Sequence, residues 1–284
     1  MTGETIDLYD YFKLPRSGAK KGILTAYRHG QFTELQVKKR RAAMLVLPGG
    51  AYAMVSQREA EPVALRYFAE GLDAFVLDYD VAPKHYPTQL LQAGMAMLYL
   101  RREAGSLYID DEHIAAIGFS AGGHLCGCIS LLWDDPALVQ AFGKEECVRI
   151  RPDASVLSYP VVTFGEWHSH GGSFENFCGD AVKKEDYSLE KKVRSSASPC
   201  FIWANTTDEA VPPENAVLLY SALRRAGVPA ELHVFEQGWH GMSLCNGEVE
   251  QEEVNDAVRA HVSHWIELSV EFLRAHGFST ITVR

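Results

Sequence analysis

Short apolar runs alternate with segments of helical periodicity over most of the chain, and this alternation limits the folds that the chain can adopt. Six runs predict strands, at residues 42–47, 74–77, 114–117, 154–159, 200–204 and 232–235. The unbroken apolar run at 42–47 is typical of a strand covered on both faces. Leu91, Met95 and Leu98 share one face of a predicted helix. The pattern predicts an α/β fold with a mostly parallel central sheet and helices on both faces.

The other segments complete a single predicted domain over residues 1–284. Two weaker strands and three helices are expected, at residues 23–27, 33–37, 59–70, 212–227 and 254–273. The basic run at residues 38–41 is expected to form a solvated loop on this acidic chain. Residues 160–198 break the alternation and are rich in His, Gly, Ser and Lys. A cap or lid insertion is predicted there.

The charge balance bears on what the chain binds. It has 27 Lys and Arg against 37 Asp and Glu, a net charge of −10, which argues against nucleic acid and anionic membranes and fits a neutral substrate. The N-terminus lacks the basic and apolar stretches of a signal peptide, and no run reaches about 18 apolar residues. A soluble cytoplasmic protein is therefore predicted, and a homo-oligomer is left open.

The cysteines and histidines do not form a metal-binding pattern. Six cysteines lie without paired spacing, which predicts free and mostly buried thiols. His168 and His170 lack acidic or cysteine partners at a suitable spacing, so a polar loop is the favoured interpretation. No metal and no cofactor are predicted.

The sequence Gly-x-Ser-x-Gly occupies residues 118–122, between the strand at 114–117 and a helix-compatible segment. A strand, a sharp turn and a helix are the setting of a nucleophile elbow. The flanking glycines have a physical reason, since side chains there would collide with neighbouring backbone in a strained turn. Ser120 is therefore the candidate nucleophile. The alternative interpretation is an ordinary strand-to-helix turn that happens to contain these residues.

A serine hydroxyl needs a base within hydrogen-bond reach, and that base needs an orienting carboxylate. On sheets of this type the chain order is Ser, then Asp or Glu, then His. His240 follows the last strand directly, and Asp208 follows the strand before it. Glu209 is the second choice for the carboxylate. His124, one helical turn after Ser120, is interpreted as a structural residue.

Backbone N–H groups are the usual donors to the oxyanion of an acyl-transfer intermediate. The loop after the strand at 42–47 contains Gly49 and Gly50, either of which could supply one donor, and the N–H of Ala121 could supply the other. The run His-Gly-Gly at residues 170–172 also looks like an oxyanion loop. It is rejected as one because it follows the nucleophile in the chain and does not come directly after an early strand.

Taken together, these residues resemble the α/β-hydrolase superfamily, and within it the intracellular acetyl esterases related to acetylxylan and feruloyl esterases. The likeness spans residues 42–245. It rests on Gly241 after the predicted base and on segments at residues 48–52, 61–64, 78–83, 118–125, 151–153, 158–160 and 208–212. The segment at 78–83 is also similar to the hormone-sensitive-lipase-like esterases. The resemblance implies the α/β-hydrolase fold and serine-dependent ester hydrolysis.

The chain departs from these relatives at four positions: Pro48 stands for a common His, Ala51 for a third Gly, Asp80 for an Arg, and Trp239 for a small residue. The change at Pro48 should be harmless, because the oxyanion donors are backbone groups. Trp239 is expected to narrow the acyl pocket, which favours acetyl over feruloyl groups. Three aromatic residues are predicted to line the substrate pocket: Tyr52, Tyr159 and Trp239.

The predicted function is that of a serine carboxylesterase that deacetylates sugars or small xylan-derived oligosaccharides. An amide-directed hydrolase, such as a formamidase-like enzyme or a small peptidase, would use the same serine chemistry with a different pocket. A noncatalytic binding protein would be expected to lack a member of the triad, and this chain keeps Ser120, Asp208 and His240. A thioesterase lacks support, because no basic patch is present to meet a phosphorylated carrier.

Overall fold

A single sheet of nine strands passes through the part of the chain that the computed structural model describes, residues 3–165, 168–250 and 255–283. The strands are β1 (Glu4–Asp7), β2 (Ile23–Tyr27), β3 (Lys38–Leu47), β4 (Asp73–Asp78), β5 (Ile109–Phe119), β6 (Ala154–Ser158), β7 (Cys200–Asn205), β8 (Ala230–Phe235) and β9 (Thr280–Val283). Their order is β1-β2-β4-β3-β5-β6-β7-β8, with β9 beside the start of β3. The strands from β4 to β8 in this order are parallel, and β1, β2 and β9 pair antiparallel.

Helices cover both faces of this sheet. The α-helices are α1 (Leu8–Phe12), α2 (Glu61–Ala69), α3 (Thr88–Leu107), α4 (Ala121–Leu131), α5 (Pro136–Phe142), α6 (Lys144–Cys147), α7 (Gly171–Cys178), α8 (Glu214–Arg225), α9 (Asp256–Val262) and α10 (Trp265–Ala275). Alternate strand residues face opposite sides. Leu45 joins a core with α3, α4 and α8, while Met44 and Val46 join a second core with α2 and α10. The predicted α/β fold with a mostly parallel sheet is confirmed.

Two predictions for the N-terminal region are wrong. Residues 33–37 form turns and bends, and residues 38–41 form the start of β3 and not a solvated loop. The basic run is a strand because β9, at the far end of the chain, supplies an antiparallel partner for it. Arg41 also donates a hydrogen bond to Thr280 Oγ1 at 3.0 Å. No local pattern could have indicated this pairing.

The last predicted helix is divided in two. The structure has α9 and then α10, with a break at residues 263–264, where the single helix was expected over 254–273. Residue 254 lies outside the described residues. The six cysteines are all free and buried, as predicted. Within the described ranges, no helix is both long and apolar enough to cross a bilayer.

Residues 160–198, the predicted cap, contain α7 and two short 3-10 turns, at Lys184–Tyr187 and Leu189–Lys191. The segment packs beside the loop that follows β3. Asn176 Nδ2 donates to the carbonyl of Ala51 at 2.9 Å, and the ring of Phe177 lies 5.0 Å from that of Tyr52. This part of the chain therefore lies at the carboxyl-terminal edge of the sheet. Its action as a lid stays a prediction.

Candidate active site

Ser120 lies in a strained turn between β5 and α4. Its backbone has φ 53° and ψ −119°, a region that costs a non-glycine residue about 1–3 kcal/mol. A Cβ atom on Gly118 would lie 2.1 Å from the carbonyl oxygen of Gly122, and one on Gly122 would lie 2.1 Å from the carbonyl oxygen of Leu47. Both glycines are therefore required by close backbone approach, as predicted. The turn is held by a hydrogen bond from the Ser120 N–H to the carbonyl of Ser158, at 3.0 Å.

The structure brings the three predicted catalytic residues together. His240 Nε2 lies 2.8 Å from Ser120 Oγ, and His240 Nδ1 lies 2.7 Å from Asp208 Oδ2. Asp208 is only 3% exposed, and its Oδ1 accepts the N–H groups of Ala210 and Val211 at 3.0 and 2.9 Å. The carboxylate is therefore fixed, and it selects the imidazole tautomer that carries hydrogen on Nδ1. Nε2 is then free to accept the serine proton.

The two glycines that were predicted as alternative oxyanion donors differ in the structure. The N–H of Gly49 donates to the carboxylate Oε2 of Glu59 at 2.8 Å inside the protein, so it is not available to a substrate. The N–H groups of Gly50 and Ala121 have no acceptor among the described residues. Gly50 has φ 123°, and a Cβ there would lie 2.3 Å from the carbonyl oxygen of Met54. Gly50 and Ala121 therefore remain the candidate oxyanion donors.

A cavity of about 500 Å³ opens in front of the serine hydroxyl. Its lining residues are Gly50, Ala51, Ala53, Met54, Ser56, Arg58, Glu59, Ser120, His170, His240 and Gly241. Small side chains from the loop after β3 form one part of the wall. Arg58 and His170 add polar groups to another part. The cavity beside the serine hydroxyl therefore has both apolar and polar side chains in its wall.

The three aromatic residues predicted to line the pocket do not line this cavity. Tyr52 is fully buried and donates its hydroxyl hydrogen to His124 Nδ1 at 2.8 Å. Tyr159 is 1% exposed and donates to Glu59 Oε1 at 2.7 Å. Trp239 lies at a separate surface depression with Thr206 and other residues, on another side of the loop. The expected narrowing of the acyl pocket by Trp239 is therefore wrong.

His124 is structural, as predicted. It donates from Nε2 to the carbonyl of Tyr187 at 2.9 Å and accepts from Tyr52 at Nδ1. Burial lowers the pKa of His124 to about 4, so the ring is neutral at physiological pH. A neutral ring with both nitrogens paired is a packing element that links α4 to the segment after α7.

His170 lines the cavity, which the sequence did not indicate. The sequence analysis interpreted this residue only as part of a polar loop. Its Nδ1 accepts the N–H of Ser173 at 3.2 Å at the start of α7, so in the neutral ring Nε2 carries the hydrogen. Burial, together with the nearby His240, lowers the pKa of His170. Within the described ranges, no group of three or more His, Cys, Asp and Glu side chains could hold a metal ion.

Three features define the α/β-hydrolase class: the strand order, the turn at Ser120, and the hydrogen bonds that link Ser120 to His240 and His240 to Asp208. Residues 32–223 match the family model described as BD-FAE. The chain belongs to the BD-FAE family and has the α/β-hydrolase fold.

Two proteins with known names are similar in sequence to this chain. The chain is 36% identical to endo-1,4-beta-xylanase B of Butyrivibrio fibrisolvens over 74% of its length and 34% of that protein. It is 31% identical to an acetylxylan esterase of Xylanibacter ruminicola over 71% of its length and 41% of that protein. The chain thus spans between a third and a half of these two relatives.

The structural comparisons cover nearly the whole chain. The acetyl ester-xyloside bifunctional hydrolase of Caldicellulosiruptor lactoaceticus superposes with a TM-score of 0.82 at 31% identity, over 98% of both chains. A carboxylesterase of Lactobacillus plantarum also gives a TM-score of 0.82, at 25% identity, over 98% of this chain and 99% of that one.

Proposed function

We propose that the chain is a serine carboxylesterase that removes acetyl groups from sugars or small xylan-derived oligosaccharides. The observation that carries the proposal is the unbroken hydrogen-bond path from Asp208 through His240 to Ser120, with distances of 2.7 and 2.8 Å. A serine in this path is activated for attack on an acyl carbon. The path ends in a cavity that a small ester can enter.

In the proposed reaction, Ser120 Oγ attacks the acyl carbonyl while His240 Nε2 accepts its proton. The developing oxyanion accepts the N–H groups of Gly50 and Ala121, each of which is worth roughly 3 kcal/mol to the transition state. His240 then donates its proton to the leaving alcohol as the C–O bond breaks. Water, activated by the same histidine, releases acetate from Ser120.

Two features support a small acyl group and a hydroxylated alcohol. The loop after β3 contributes Ala51 and Ala53 to the cavity wall beside the larger Met54, and the neutral ring of His170 can offer its Nε2–H to a sugar hydroxyl. The similarity to an acetylxylan esterase and to an acetyl ester-xyloside bifunctional hydrolase supports the same substrate class. Residues 160–198 would act as a cap over the bound sugar. The cap and the rest of residues 1–284 would form a single domain.

The test is a series of p-nitrophenyl esters from acetate to octanoate, with acetylated xylo-oligosaccharide and p-nitroacetanilide alongside. We expect acetate to be cleaved with a kcat/KM at least about tenfold above octanoate, because an acyl pocket that stabilises an acetyl group leaves a long chain partly in water. Acetate release from the oligosaccharide would identify the sugar substrate. Faster cleavage of the anilide would favour an amide-directed hydrolase, and no turnover of any ester would favour a binding protein.

A further inference from the structure

A buried carboxylate forms part of the cavity wall, and the mechanism above does not use it. Glu59 ends a 3-10 turn, Gln57–Glu59, that precedes α2, and it is only 3% exposed. Burying a carboxylate costs several kcal/mol unless hydrogen bonds or opposite charges compensate it. A carboxylate in this position should therefore have specific partners.

Both carboxylate oxygens of Glu59 have such partners. Oε2 accepts the N–H of Gly49 at 2.8 Å, and Oε1 accepts the hydroxyl of Tyr159 at 2.7 Å. The Tyr159 oxygen in turn accepts the N–H of Ser243 at 3.0 Å. Ser243 Oγ closes the circuit by donating to the carbonyl of Arg58 at 2.6 Å. One carboxylate therefore anchors the loop after β3 and the loop that carries His240.

The contact with Gly49 bears directly on the oxyanion donor. Gly49 runs closely against the nucleophile turn, since a Cβ there would lie 2.6 Å from the carbonyl oxygen of Phe119 and 3.0 Å from Ser120 Cβ. Fixing the Gly49 N–H fixes the peptide that leads into Gly50. The free N–H of Gly50 is thereby held beside Ser120 before substrate binds, as oxyanion stabilisation requires.

The charge of Glu59 also faces the catalytic base. Burial raises the pKa of Glu59, whereas the donors Tyr159 and Gly49, and the charges of His240 and Arg58, act in the opposite direction. The Tyr159 ring lies edge-on to His240 with ring centroids 5.0 Å apart. Further polar groups that lie near Glu59 or His240 include Asp208, Ser120, His170 and Tyr79.

We propose that Glu59 is a positioning residue for ester hydrolysis: it holds Gly49 so that the Gly50 N–H meets the oxyanion, and its negative charge supports the imidazolium form of His240. The inference rests on the proposed esterase function and deepens it. Glu59 touches no reacting atom, so its contribution passes through Gly49 and through the circuit of Tyr159 and Ser243.

The test compares Glu59→Gln with wild type in hydrolysis of p-nitrophenyl acetate between pH 5 and 9. Glutamine is nearly isosteric and removes the charge. We expect kcat to fall about 10- to 100-fold with KM within about threefold, because a mispositioned oxyanion donor affects the transition state more than the ground state. Removing a negative charge that faces the catalytic base makes a positively charged site less favourable, so the acid limb of the kcat/KM profile should move to lower pH.

Glu61→Gln is the matched control, because Glu61 is an exposed carboxylate two residues away that bonds Tyr27 and not the site. Its kinetics should match wild type. A folded Glu59→Gln enzyme with unchanged kcat and an unchanged acid limb would overturn the inference while leaving the esterase proposal intact. A wild type without esterase activity would remove both proposals.

A second variant keeps the inference testable if Glu59→Gln does not fold. Tyr159→Phe keeps the carboxylate and breaks the hydroxyl link to Ser243. Its kcat should fall several-fold, with a smaller shift of the acid limb than the charge removal gives. An unchanged kcat in folded Tyr159→Phe would count against the proposal.

Discussion

Replacing Ser120 with alanine should lower kcat for p-nitrophenyl acetate by about five to six orders of magnitude, the size of effect that loss of a triad nucleophile has in serine hydrolases. In the wild type, His240 Nε2 lies 2.8 Å from Ser120 Oγ. Without Oγ no acyl-enzyme can form, and the histidine has no serine proton to accept. Initial rates at saturating ester, with KM measured in parallel, check this. KM should change little, because the cavity walls remain.

Ser106→Ala is the matched control, because it makes the same substitution at an exposed serine near the end of α3. It should retain full activity. The fold of Ser120→Ala should also survive, because alanine meets the same backbone strain at φ 53° and adds no atoms. A well-folded Ser120→Ala protein that still cleaves the ester at the wild-type rate would show that the nucleophile lies elsewhere.

The candidate catalytic residues could be predicted because the proposed chemistry restricts both residue type and position. Ser120, Asp208 and His240 each follow a strand, and parallel strands place their carboxyl ends at one edge of the sheet. A sequence that identifies the strands therefore places these side chains near one another. The distances of 2.7 and 2.8 Å between them come from the structure alone.

The cavity wall could not be predicted in the same way. Trp239 and His240 are adjacent in the chain, yet their side chains lie at different depressions of the surface. Glu59 is one of 37 acidic residues, and no local pattern separates a buried carboxylate from a solvated one. Its partners, Gly49 and Tyr159, come from separate loops that only the tertiary structure brings together.

Asp208→Asn should lower kcat by about four orders of magnitude, although it changes only one atom type. The N–H groups of Ala210 and Val211 hold Oδ1, so the asparagine oxygen would remain there and its NH₂ would face His240 Nδ1. An NH₂ donor requires Nδ1 to be an acceptor, which places the hydrogen on Nε2. The histidine would then present a donor to Ser120 and could not accept its proton.

Glu209→Gln separates this tautomer effect from a general loss of charge near the site. Glu209 is exposed and is the neighbouring carboxylate that the sequence offered as the second choice. We expect its kcat to stay within about threefold of wild type, because exposed charges interact weakly with the site. If Glu209→Gln lost activity and Asp208→Asn kept it, the orienting carboxylate would be misassigned. The buried pair of Asp208 and His240 leads us to expect the opposite result.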